Sequence, residues 1–170
     1  MQNTEIQNLK SQVEKLKKEV QKYKYDSLTG LCRRGDFQTR LEEMWYEYNE
    51  FGHRFIAAMI DIDGLHNLNR TAGGLEAGDE LIKSVVNQIK ENFEDSNIFR
   101  WGGDEFVILK RGNYHNEFKK RLNLINNSTV ASVQIDSSVV NNILCEQDII
   151  NFIDESIIKQ KSKNKRREHD

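Results

Sequence analysis

The sequence predicts an α+β protein in which helices flank one central sheet, preceded by a coiled-coil helix. Three observations carry this. Residues 1–24 hold an unbroken apolar seam at alternating spacings of three and four, the pattern of a helix that packs on another helix. "RFIAAMIDID", 54–63, is apolar over strand length and ends in acids, as a strand buried on both faces does. "FRWGGDEFVIL", 99–109, sets apolar runs on either side of a double glycine, which reads as a hairpin.

Taken in order, the seam is Ile6, Leu9, Val13, Leu16, Val20 and Tyr23. β-branched residues fall mostly at a and leucine at the early d positions, the combination that favours two parallel strands. Residues 1–25 are therefore expected to form a homodimerisation helix; the alternative is a single amphipathic helix lying along the domain. "DSLTGL", 26–31, is a turn, and Asp36 is placed as the N-cap of a helix with Phe37, Leu41, Trp45 and Tyr48 on one face. After the apolar strand, glycines 73, 74 and 78 punctuate a loop. From Asp79 onward Leu81, Ile82, Val85, Val86, Ile89 and Phe93 form a helical stripe. Gly102 and Gly103 are expected to turn the hairpin with freedom to take positive φ. A helix near 114–126, a strand near 129–135 and a helix near 146–163 complete one domain over 26–168.

A chain of 170 residues and 19.9 kDa buries one good core rather than two. Its net charge of −2 gives no broad attraction for nucleic acid or anionic lipid, so neither is an expected partner. The first twenty residues are polar and lysine-rich, unlike a signal peptide, and no apolar run nears the roughly 20 residues that span a bilayer. Cys32 and Cys145 make neither a disulfide framework nor a zinc site, and the expected location is the reducing cytoplasm. Proline is absent, so boundaries are read from glycine, asparagine and periodicity.

The chemistry lies in the acids. Asp61 and Asp63 end the buried strand, and Asp104 and Glu105 sit on the hairpin. If the two strands are neighbours, Asp61 and Asp104 converge at one edge of the sheet. Two carboxylates about 4 Å apart repel by roughly 4 kcal/mol at an effective dielectric near 20, so the pair shares a proton or binds a cation. Hard oxygen ligands with few dedicated protein groups suit Mg²⁺, which completes its shell with water and substrate phosphates. Glycines beside acids let a ligand approach the backbone closely. The combination argues for phosphoryl transfer.

"RWGGDEFVIL" resembles the signature hairpin of the GGDEF domains, the diguanylate cyclases, and Gly102 to Phe106 match it letter for letter. "DSLTGL" resembles that family's opening turn, "DIDGLHNLN" at 61–69 its metal-binding strand end, and "AGDELI" at 77–82 the start of its next helix. "IDESIIKQKSKNK", 153–165, is a weaker echo of its closing helix. The resemblance implies a nucleotide-cyclase, palm-like fold with a mainly antiparallel sheet. It also implies condensation of two GTP into cyclic di-GMP and pyrophosphate, each domain of a facing pair holding one GTP. Asp61, the carbonyl of Ile62 and Asp104 would hold Mg²⁺ (or Mn²⁺). Asp104 would assist deprotonation of the attacking 3′-hydroxyl, and Glu105 would support a second metal. Asn69 and Asp79 would read guanine, Gly102 and Gly103 would line the substrate, and Lys161 with Lys165 would meet the β- and γ-phosphates. A solvated basic tail is the plain alternative for the lysines.

The departures cluster around the nucleotide. Gly64, Leu65 and His66 stand where the family has bulky residues and then a lysine. His66 takes the lysine's catalytic place, and a largely neutral imidazole stabilises phosphate charge less well. Asn69-Arg70 replaces Asn-Asp, Gly73-Gly74 replaces Gly-His, and one extra residue separates Asn69 from Gly78-Asp79. Arg33 replaces an asparagine. The Arg-x-x-Asp product-inhibition motif is missing, with Phe93 and Ser96 at its positions, and "VASVQID" lacks the family's Ser-x-Gly. A cyclase with another base preference and a GTP-binding module without turnover remain the alternatives.

Overall fold

The axis of the sheet is β2 (Phe55–Ile62), all of whose residues are buried. The computed structural model describes residues 2–70, 74–94, 97–135 and 146–167. Besides β2 the strands are β1 (Cys32–Arg33), β3 (Asn97–Arg100), β4 (Glu105–Arg111) and β5 (Ser128–Ile135). The helices are α1 (Gln2–Lys24), α2 (Arg34–Phe51), α3 (Leu65–Asn69), α4 (Gly74–Asn92), α5 (His115–Leu122) and α6 (Glu146–Arg167). The sheet runs β1-β3-β4-β2-β5. β2 pairs antiparallel with β4 and β5, and β3 with β4; the short β1 alone lies parallel to its neighbour β3. The expected mainly antiparallel sheet is the one observed.

Alternation along β2 sorts the core into two halves. Phe55, Ala57 and Met59 join Phe37, Leu41 and Met44 of α2 and Ile149, Ile153 and Ile157 of α6. Ile56, Ala58, Ile60 and Ile62 join Ile82, Val85 and Ile89 of α4 and Phe118 and Leu122 of α5. Helices thus cover both faces, which is why β2 reads as a continuous apolar run.

Several boundaries differ from expectation. α2 begins at Arg34 with Arg33 at its N-cap and no side-chain cap, and Asp36 lies in the first turn, where its charge faces the helix dipole. α4 begins at Gly74 rather than Asp79, because its opening residues Leu75 and Glu76 are exposed and leave no apolar stripe. α5 ends at Leu122, and α6 runs on to Arg167. β1 and α3 carry no periodicity of their own. Gly102 and Gly103 are not among the positive-φ residues; the hairpin is closed instead by Trp101 and Gly102 N–H groups donating to the Glu105 carbonyl at 2.8 and 3.2 Å. Positive φ occurs at Gly64, +77°, which lets the chain leave β2 directly into α3 where a bulky residue would be strained.

The seam residues of α1 are 48–79% exposed, which removes the alternative of a helix lying on the domain. Among the described residues no helix is long and apolar enough to cross a membrane. Cys32 is a free, half-buried thiol; Cys145 lies outside the described residues.

Candidate active site

The register at the end of β2 builds the site. Asp61 is paired across strands with Glu105, and the Ile62 N–H donates to the Asp104 carbonyl at 2.9 Å. By parity Asp61 shares the face of Met59, and Glu105 that of Val107, the face covered by α6. Lys161 of α6 reaches this edge, its Nζ 2.5 Å from Asp61 Oδ1. The ammonium is thus the partner of buried Oδ1, an ion pair that opposes the rise of the Asp61 carboxyl, although it does not approach along a lone pair.

Charge accumulates here. Burial pushes the Asp61 carboxyl above its usual range, and Asp104 and Asp63 push the same way against the opposing pull of Lys161. Burial, then Asp61, Asp104 and Asp154, raise Glu105, again opposed by Lys161. Asp154 is raised by burial and eased by Arg34. The Thr129 hydroxyl donates to the Asp63 carboxylate, 2.9 and 3.1 Å from the two oxygens.

Asp61, the Ile62 carbonyl and Asp104 are an all-oxygen set, the donor chemistry that suits a hard divalent ion. No group of three or more His, Cys, Asp or Glu side chains clusters as a metal cage among the described residues. A set of two carboxylates and one carbonyl does not require one.

The hairpin loop is held from outside. Arg100 donates to the Gly102 and Gly103 carbonyls at 3.2 and 2.6 Å, and through Nη1 to Asp26 at 2.8 Å. Asp26 also accepts from Thr29 Oγ1 and from the Leu28 and Thr29 N–H groups. Gly102 is glycine for space: a Cβ there would fall 2.6 Å from Glu105 Oε2, whereas one on Gly103 would meet nothing within 4 Å. Arg33, in the family's asparagine position, donates to the Tyr25 carbonyl at 2.9 Å and so ties the base of α1 to β1.

Asn69 and Asp79 form a second locus. Asn69 Oδ1 is buried without a partner against Gly78, where a Cβ would stand 1.9 Å away, and Asp79 is exposed on the next residue. The extra residue in the sequence between them therefore does not keep Asn69 from Gly78; residues 71–73, including Gly73, lie outside the described residues. We expect Gly78→Ala to expel the Asn69 side chain. If this locus reads the base, as proposed below, the KM for nucleotide should rise about tenfold with little change in Tm, helix propensity offsetting the local clash by roughly 1 kcal/mol. Steady-state kinetics beside thermal melts checks this.

His66 is exposed on α3, and Lys165 lies one turn beyond Lys161, its side chain outside the described part. Phe93, in the place of the inhibitory arginine, is buried against Phe118 with ring centroids 4.7 Å apart; Ser96 lies outside the described residues. Sequence reasoning missed Asp154 and Arg100. Asp154 precedes Lys161 by seven residues, two helical turns on one face, and that spacing was a usable signal.

Residues 23–144 match the family model described as diguanylate cyclase, GGDEF domain. The diguanylate cyclase DgcP of Pseudomonas aeruginosa is 32% identical over 108 residues, 63% of this chain and 16% of that protein. DosC of Escherichia coli is 27% identical over 156 residues, 84% of this chain and 34% of that protein. This chain thus spans about a third or less of the length of these curated relatives. The coiled coil and GGDEF domain of DgcB from Caulobacter crescentus, solved with c-di-GMP, superposes with a TM-score of 0.77 at 20% identity, covering 95% of this chain and 91% of that one. With the family model matched over most of its length and the acidic hairpin in the expected place, the chain belongs to the GGDEF diguanylate cyclase family.

Proposed function

We propose that this chain condenses two GTP into cyclic di-GMP and two pyrophosphates, as a dimer joined through α1. The observation that carries this is the buried Asp61 carboxylate, held against Lys161 at the edge where Asp104 and Glu105 add negative charge. Asp61, the Ile62 carbonyl and Asp104 would hold Mg²⁺ or Mn²⁺. The bound ion would neutralise charge on the α-phosphate and acidify the attacking hydroxyl. Asp104, half-buried on the hairpin loop, accepts the proton of that 3′-hydroxyl. The new bond joins this oxygen to the α-phosphorus of the other nucleotide, and the bond to pyrophosphate breaks. Lys161 and Lys165 offer countercharge to the departing group, and the open space at Gly103 admits the triphosphate to the backbone. Glu105 would support a second ion, and exposed His66 would approach phosphate from the solvent side.

Asn69 Oδ1 and the Asp79 carboxylate are acceptors, matched to the N–H donors on guanine's Watson–Crick edge. Incubation with GTP and Mg²⁺ should yield cyclic di-GMP; pyrophosphate released from ATP but not GTP would reject the substrate assignment.

One domain holding one nucleotide cannot close a two-nucleotide ring, so pairing is part of the reaction. The exposed seam of α1 supplies a surface for it. Leu16→Glu puts charge into that seam. It should give a monomer by sedimentation and lower product formation at micromolar protein by at least about tenfold, recoverable at high concentration by mass action.

A further inference from the structure

Lys161 stands on the acid that the proposed reaction needs for its metal. The Asp61 side chain is 9% exposed, whereas that of Lys161 is 39% exposed, with its Nζ 2.5 Å from Oδ1. Lys161 lies one turn beyond buried Ile157, which anchors α6 to the core. Its four-carbon stem can swing outward without moving the helix, while Asp61 is fixed at the end of β2 between β4 and β5. A divalent ion bound to Oδ1 would lie within a few ångströms of the ammonium, and two cations at that range repel strongly in a half-buried setting. One of them must leave.

We propose that Lys161 is a displaceable counter-ion at the metal position, so that a divalent ion binds tightly only with a nucleotide whose phosphates draw the lysine off Asp61. The inference rests on the reading of the site given above and adds an order to it. Metal alone meets a competitor already in place. Metal with triphosphate meets a vacated carboxylate, and the lysine gains a new anionic partner. Linkage makes the effect reciprocal: nucleotide tightens metal binding by the same factor as metal tightens nucleotide binding.

The test is titration of Mn²⁺ alone into the full chain, wild type against Lys161→Met, with Lys159→Met as control. Lys159 pairs only with exposed Glu155 at 3.7 Å among the described ion pairs, so its loss removes an equal charge elsewhere on α6. Without nucleotide, Lys161→Met should bind Mn²⁺ about tenfold more tightly than wild type, and Lys159→Met as wild type does, a size between exposed and buried ion pairs. Thermal melts add a second readout: Mn²⁺ should raise the Tm of Lys161→Met more than that of wild type. With a non-reactive GTP analogue present, the wild-type disadvantage should disappear. If Lys161→Met fails to fold with and without Mn²⁺, Lys161→Gln carries the same comparison. Equal or weaker Mn²⁺ binding by the variant would overturn the proposal while leaving the metal site standing. Absence of Mn²⁺ binding in every protein, with the analogue present, would instead remove the metal site and this proposal with it.

Discussion

On the proposed function, Asp61→Asn should lower cyclic di-GMP formation by at least about a hundredfold, since it removes the charged ligand that would position the activating ion. The domain should remain folded. Asparagine keeps the volume of aspartate at the end of β2, so the surrounding core is undisturbed. Removing the charge also ends its repulsion with Asp104, Glu105 and Asp63, which burial makes costly in the native protein. Lys161 loses its partner but is exposed enough to turn to solvent. We therefore expect Tm to hold or rise slightly as activity disappears, the signature of a site strained for function. Product chromatography beside thermal melts measures both. Retained activity would show that Asp61 does not hold the ion.

Arg100→Ala should have the largest effect on stability. Its guanidinium joins the turn after α1 to the hairpin loop, and both Arg100 and Asp26 are largely buried, at 16% and 13% side-chain exposure. Truncation strands the Asp26 carboxylate and frees the Gly102 and Gly103 carbonyls, a loss of about 3 kcal/mol. Activity should fall as well, because the loop carrying Asp104 loses its outer tether.

The pH dependence gives an independent check. Burial raises the Asp26 carboxyl, but hydrogen bonds from Arg100 and Thr29 outweigh it and hold the group below its ordinary range. A depressed acid stabilises the fold above its unfolded pKa, and that contribution is lost as pH falls through the folded value. Urea denaturation at pH 7 should therefore separate wild type from Arg100→Ala widely, and the gap should narrow below about pH 4. Asp61, Glu105 and Asp154 act with the opposite sign. Their raised values favour the folded state at low pH, and that benefit goes as pH rises through them.

Features that repeat along the chain were legible in the sequence. The seam of α1, the apolar run of β2 and the stripe of α4 each recur over several turns or residues, so periodicity identified them. β1, with Cys32 and Arg33 alone, is a strand only because β3 lies beside it, a tertiary fact that no local pattern records. The acids were found by composition, yet the residue facing Asp61 across the ladder is Glu105, not Asp104, because register fixes the pairing one residue along. Gly102 was assigned to backbone freedom, whereas the Glu105 carboxylate above it is what excludes a side chain. Lys161 was matched to phosphate by its place on the closing helix, and its rest position against Asp61 needed the packing of α6 across the sheet.

The burial of β2 from Phe55 to Ile62 has a consequence for how the domain opens. Amide protons at the middle of such a strand exchange with solvent only when the whole domain opens, while loops and helix ends breathe far more often. Asp61, next to last in β2, is still held in register between β4 and β5. Fraying at the periphery therefore leaves the acid where it was, and mild heat should loosen the contact of Asn69 with Gly78 before it disturbs Asp61.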